Sequence, residues 1–168
     1  DELKMKKESF MAFYQAIMAR REQYPGFLRK ESEDFLRPEY LQELEEFVSN
    51  FSEFGQGEKP LYKKRYVKTK YGYLLAKTHK SQLENEYEAK SQALLTLANL
   101  VETHPDVFPG EYYQVNNVFK WRMMATQAKV KVLRATGVSL GVLAEEYKRI
   151  ADMNEPPAGS TAPFSKEV

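Results

Sequence analysis

The chain has no cysteine and only two histidines, His79 and His104, among its 168 residues. That excludes disulfides, thiolate nucleophiles and the common cysteine-based zinc frameworks. Two histidines cannot form a metal site without carboxylates. Glu102 and His104 are two positions apart, not at the Glu-x-x-His spacing that turns both side chains into a di-iron bundle. Long apolar runs are missing as well. None approaches the ~20 residues of a membrane span, and the amino-terminal stretch lacks the apolar segment of a signal peptide. The sequence starts at Asp1 without a methionine, which raises the expectation of a chain imported or processed at its N-terminus. There is no phosphate loop, dinucleotide fingerprint, nucleophile elbow or zinc-protease histidine pair. Glu84 and Glu88 share a helical face, but such a pair is expected to be a solvated surface. No catalytic residue, metal ligand or cofactor is therefore expected, and the chain reads as non-enzymatic.

Apolar and aromatic residues are plentiful: 42% of the chain is hydrophobic and 13% aromatic. A chain of this length buries roughly 70% of its unfolded surface, enough to offset the entropy of ordering it. Charge is close to balanced overall and polarised locally. Residues 31–58 carry nine acids against one base, Arg37, whereas residues 59–80 carry eight bases and no acid. Residues 112–144 again lack acids. Such blocks set up local fields that the net charge of +1 conceals.

The 3.6-residue period dominates the pattern and predicts an all-α fold, a four- to five-helix bundle-like domain over residues 1–153. Leu3, Phe10, Phe13, Tyr14, Ile17 and Met18 mark a helix near 3–24 that stops at Tyr24-Pro25-Gly26. Pro38 suits a first helical turn, and Leu41, Leu44, Val48 and Phe51 extend a second helix over 38–54. Ser81-Gln82-Leu83-Glu84 reads as a capping box opening a third helix over 82–103. A fourth runs over 116–136 with Gly137 as its C-cap, and a fifth from the N-cap Ser139 to Met153. In the fourth, Val118, Trp121, Ala125, Ala128 and Val132 form one apolar stripe and Phe119, Met123, Val130 and Leu133 another. A helix apolar on two faces is expected at the centre of its bundle, with Trp121 buried. Residues 154–168, rich in Pro, Gly, Ser and Thr, are expected to form an extended C-terminal tail. Residues 132–147 resemble the first two elements of a helix-turn-helix, but helix five offers only Lys148 and Arg149, late in its length, as readers of bases.

Segment 59–80 interleaves bases with tyrosines, and Val67, Thr69, Tyr71 and Tyr73 have strand propensity, so a short basic loop or β-hairpin is expected there. Its bases could instead pair with the acids of 31–58. The candidate residues for an anionic partner are Lys63, Lys64, Arg65, Tyr66, Lys68, Lys70 and Tyr71, joined by Lys120, Lys131 and Arg134 of the fourth helix. The sequence supports a helical subunit or binding module of a larger protein assembly, docking through its helical surface, segment 59–80 and the tail. The alternative is a nucleic-acid-binding protein that uses 59–80 and the basic ridges of helix 116–136, where cations and aromatic rings would meet phosphates and bases. A membrane surface is not expected as a partner.

Overall fold

The computed structural model describes residues 2–23, 38–137 and 139–153, and the described chain is mostly helical, with no strand. Six α-helices succeed one another among these residues: α1 (Glu2–Gln23), α2 (Pro38–Asn50), α3 (Pro60–Leu83), α4 (Tyr87–Thr103), α5 (Val118–Ala135) and α6 (Leu140–Met153). A 3₁₀ turn, Ser52–Gly55, follows α2, and a π-helical turn, Tyr112–Asn117, leads into α5. The helices group into two compact units, residues 1–76 and 77–168, with the division falling inside α3. The expected helix stop at Tyr24-Pro25-Gly26 and the C-terminal tail lie outside the described residues.

The first unit is built on aromatic rings. Phe10 of α1 is fully buried, and its ring centre lies 5.1 Å from that of Phe47, 5.5 Å from Phe51, 4.7 Å from Phe54 and 5.3 Å from Tyr62. These rings come from α1, α2, the 3₁₀ turn and α3, so one residue draws four segments together. Tilted and edge-on pairs of this kind stabilise by about 0.5–1.5 kcal/mol each beyond the area they bury. Pro38 opens α2 as its ring geometry favours, and Tyr40, Leu44 and Phe47 are the face that α2 buries.

Segment 59–80 is neither a loop nor a hairpin: it forms most of the 24-residue helix α3. Pro60 is its first residue, a position where the missing N–H costs nothing. The residues read as alternating obey a helical period instead, with Tyr66, Val67, Thr69, Leu74 and Ala76 buried. Packing decides here over the weaker and context-dependent preference of Val, Thr and Tyr for strands. Thr69 fits the helix by donating its hydroxyl hydrogen bond to the Arg65 carbonyl at 2.8 Å.

Ser81 does not open the next helix either. It is buried in the last turn of α3, and its carbonyl accepts a bond from the Glu86 N–H at 2.8 Å while Asn85 adopts φ +55°. That is a left-handed helix ending with Asn in the place glycine usually takes, so α4 begins at Tyr87 rather than at residue 82.

In the second unit α5 is the central element, packed against α4, α6 and the π turn. Both of its expected apolar stripes turn inward: Val118, Trp121, Ala125 and Ala128 of one and Phe119, Met123 and Val130 of the other are buried. The buried hydroxyl of Ser91 donates to the Ala125 carbonyl at 3.0 Å, a bond between α4 and α5. Gly137 closes α5 at φ +73° and Ser139 accepts the Val142 N–H on its hydroxyl at the start of α6, as the sequence indicated.

Candidate anion-binding site

The ten candidate residues divide between the units. Lys63, Lys64, Arg65, Tyr66, Lys68, Lys70 and Tyr71 stand on α3 in the first; Lys120, Lys131 and Arg134 stand on α5 in the second. As a helix, α3 scatters its candidates around the axis. Tyr66 is not a surface residue: it is buried, stacks on Phe47 with ring centres 5.8 Å apart, and donates from its hydroxyl to the Val48 carbonyl at 2.6 Å. Burial, helped by the charge of Glu53, pushes its phenol up to about 12. Arg65 is half-buried, with Nη1 3.0 Å from the sulfur of Met11 and its guanidinium 5.1 Å from the ring centre of Tyr14. Both residues hold the fold of the first unit together and drop out of the candidate surface.

The exposed face of α3 carries Leu61, Lys64, Lys68 and Leu75, a mixed apolar and basic stripe in which the two leucines are 54% and 39% exposed. Two of the acids expected to neutralise the basic segment pair elsewhere, Glu53 with Lys6 at 2.6 Å and Glu43 with Arg20 at 2.8 Å. A cavity of about 220 Å³ near the start of α1, bordered by Leu3, Phe54 and Tyr62, mixes lysines with Glu53 and Glu58 and so has no single sign.

The second unit offers a cavity of a different kind. Between α4, α5 and α6 lies a pocket of about 270 Å³ whose polar lining is Tyr87, Lys90, Gln127, Lys131, Arg134 and Tyr147. Ala128 and Val130 supply its apolar part. Two of the expected residues, Lys131 and Arg134, are one helical turn apart on α5 and face into it together; Lys120, three turns away, does not take part. The Lys131 ammonium lies 4.9 Å from the centre of the Tyr87 ring, a cation–π distance. Lys90 is half-buried, and its amine is held below the ordinary lysine value by burial and by the charge of Lys131.

Around this pocket the acids are engaged by other bases. Glu88 accepts from Lys129 at 3.0 and 3.2 Å and from the Gln92 amide, Glu146 pairs with Arg149, and farther along α4 Glu102 takes both arms of the Arg122 guanidinium at 2.9 and 3.0 Å. These cations hold the three carboxyls below the usual glutamate range. Among the described residues, no carboxylate forms an ion pair with Lys90, Lys131 or Arg134.

Tyr87, Lys90, Gln127 and Tyr147 were not among the expected residues, because Tyr87 and Lys90 fall in an ordinary amphipathic helix, Gln127 is an uncharged position of the fourth helix and Tyr147 belongs to the weak helix-turn-helix resemblance. The signal in reach was the acid-free stretch 112–144, which forces α5 to find its counter-charges on other helices. His104, singled out as one of two histidines, caps α4 with Nδ1 2.8 Å from the Leu100 carbonyl. Among the described residues no group of three His, Asp or Glu side chains could hold a metal ion, and no helix is long and apolar enough to cross a membrane. Compared with known proteins, the chain matches no family model, no curated protein and no solved structure.

Proposed function

We propose that this chain is a non-enzymatic helical binding module that docks onto other protein subunits through basic surfaces, and that its partner presents anionic groups to the second unit. The observation that carries this reading is the pocket between α4, α5 and α6. Three cations converge there, every polar side chain carries a hydrogen-bond donor, and no carboxylate enters the lining. Charges of one sign gathered in a concave site focus the field and attract the opposite sign.

A protein fits this reading better than nucleic acid for a reason found in the first unit. Binding of single strands needs aromatic faces open for stacking. Tyr62 and Tyr66, half of the tyrosines that made segment 59–80 look like such a platform, are committed to the aromatic core, 5.4 Å from Phe54 and 5.8 Å from Phe47. The exposed stripe of Leu61, Lys64, Lys68 and Leu75 on α3 is the mixed surface a protein partner can cover.

The test is a parallel titration with a glutamate-rich peptide and a single-stranded RNA at physiological salt. Peptide binding is expected, weakened by roughly tenfold in the K131Q/R134Q double variant with its helical circular dichroism unchanged. Micromolar or tighter RNA binding would transfer the reading to nucleic acid, provided its log affinity falls with log salt at a slope of roughly −0.7 per phosphate contact.

A further inference from the structure

We propose that the pocket framed by Tyr87, Lys90, Gln127, Lys131, Arg134 and Tyr147 is a phosphate-monoester site, and that the monoester it takes is carried on a side chain of the protein partner. This inference rests on the anionic-partner reading and narrows it to one chemistry.

The first argument is charge. Three cations meet in one pocket while the neighbouring acids Glu88 and Glu146 are held by Lys129 and Arg149. A carboxylate brings one negative charge and leaves most of that field unanswered. A phosphate monoester brings about −1.5 to −2 near neutral pH and three strong acceptor oxygens. The placement of Lys90 sharpens the point. It stands in the first turn of α4, where the helix dipole favours anions and opposes a cation, and it faces Lys131 besides. A dianion in the pocket relieves both repulsions at once.

The second argument is the donor set. The planar guanidinium of Arg134 can hold two phosphate oxygens in parallel, whereas the two lysines act as mobile point charges. The amide of Gln127 and the hydroxyl of Tyr147 add neutral donors, so that more donors surround the pocket than a carboxylate can use, while the Tyr87 hydroxyl donates to Asn85 Oδ1 at 3.4 Å and its ring faces the Lys131 ammonium.

The third argument is size and access. At about 270 Å³ the pocket falls just below the roughly 300–1,000 Å³ of small-molecule and cofactor sites, and suits one side chain better than a whole cofactor. Lys131, Arg134 and Gln127 are exposed, so a partner's chain can bring a group to them without any opening of the helices.

Calorimetry with four probes tests the proposal on the full chain: a phosphoserine peptide with neutral flanks, its unphosphorylated twin, its glutamate twin, and inorganic phosphate. The phosphopeptide is expected to bind roughly tenfold or more tightly than the glutamate twin, with no heat from the serine twin. K131Q and R134Q should each weaken it by about tenfold, K120Q by less than about twofold, and excess inorganic phosphate should displace it. Equal affinity for the glutamate and phosphoserine peptides would overturn the monoester assignment while leaving the anionic-partner reading intact. Inorganic phosphate binding as tightly as the phosphopeptide would assign the site to a free ligand instead. If K120Q weakened binding as much as K131Q, the attraction would be diffuse and the pocket no site. If neither the phosphopeptide nor its glutamate twin binds, both readings fall together.

Discussion

Gly55 shows how closely the first unit is fitted at a single residue. A Cβ at this position would lie 2.7 and 2.8 Å from two carbons of the Tyr66 ring, closer than such atoms come. The ring cannot retreat, because it is buried against Phe47 and tied through its hydroxyl to the Val48 carbonyl. Gly55→Ala should therefore destabilise by about 1–3 kcal/mol, the usual cost of overpacking, with the chemical-denaturation midpoint as the measure. Tyr66 also predicts a pH effect. Its folded pKa, about 12, lies above the roughly 10 of an unfolded tyrosine, so its contribution to stability is complete below pH ~10. As the pH rises toward 12 the unfolded chain loses its proton first and that contribution disappears. Denaturation curves between pH 9 and about 12 should show the loss in the wild type and a shallower one in Tyr66→Phe. Neither the close approach nor the buried hydroxyl was legible in the sequence, where Gly55 lies just past the second expected helix, 38–54, and Tyr66 is one ring in a basic run. Both depend on which residues another segment brings near.

At the scale of the element, helix positions followed from periodicity wherever an apolar stripe met a residue with one conformational preference. Pro38 at the start of α2, Gly137 after α5 and Ser139 before α6 each do what their chemistry dictates. The misreadings came where one residue type serves two purposes. Ser81 with Glu84 has the pattern of a helix start, yet the left-handed Asn85 beyond it makes the same stretch a helix end. In α3, β-branched and aromatic residues spaced by two suggested a strand, and the helix won because Val67 and Leu74, and Thr69 and Ala76, repeat two turns apart on its buried side and Tyr62 and Tyr66, one turn apart, meet Phe10 of α1 and Phe47 of α2. Pro60, at the first position of α3, was the sign that could have told the two apart. The α4–α5 pair carries its own prediction. Glu88 and Glu102 have carboxyl pKa values lowered first by the hydrogen bonds from Lys129 and Arg122. Their contribution is present above the ordinary glutamate value and lost as the pH falls through the lowered one. Acid unfolding should accordingly begin below pH ~4.5, and a Glu88→Gln/Glu102→Gln variant should show a flatter stability curve across that range while being less stable at pH 7.

For the whole molecule, the sequence exposed the polarity of the chain but not its destination. The acid-poor block 112–144 implied a basic surface, and Lys131 and Arg134 were legible as part of it. Their convergence with Lys90 was not, since only the antiparallel pairing of α4 with α5 brings residues forty positions apart to one pocket. Segment 59–80, the feature most suggestive of function, divides instead between buried residues of α3 and an exposed stripe of the same helix. We therefore propose the second unit as the place of the anionic-partner site, while the inward residues of α3 belong to the core. Amide and side-chain chemical shifts followed by NMR, as a glutamate-rich or phosphorylated peptide is titrated into the full chain, test this most directly. Perturbations centred on Tyr87, Lys90, Gln127, Lys131, Arg134 and Tyr147 and saturating together are the expected result. Perturbations centred on Lys63, Lys64, Lys68 and Lys70 of α3, with the pocket residues unmoved, would contradict it.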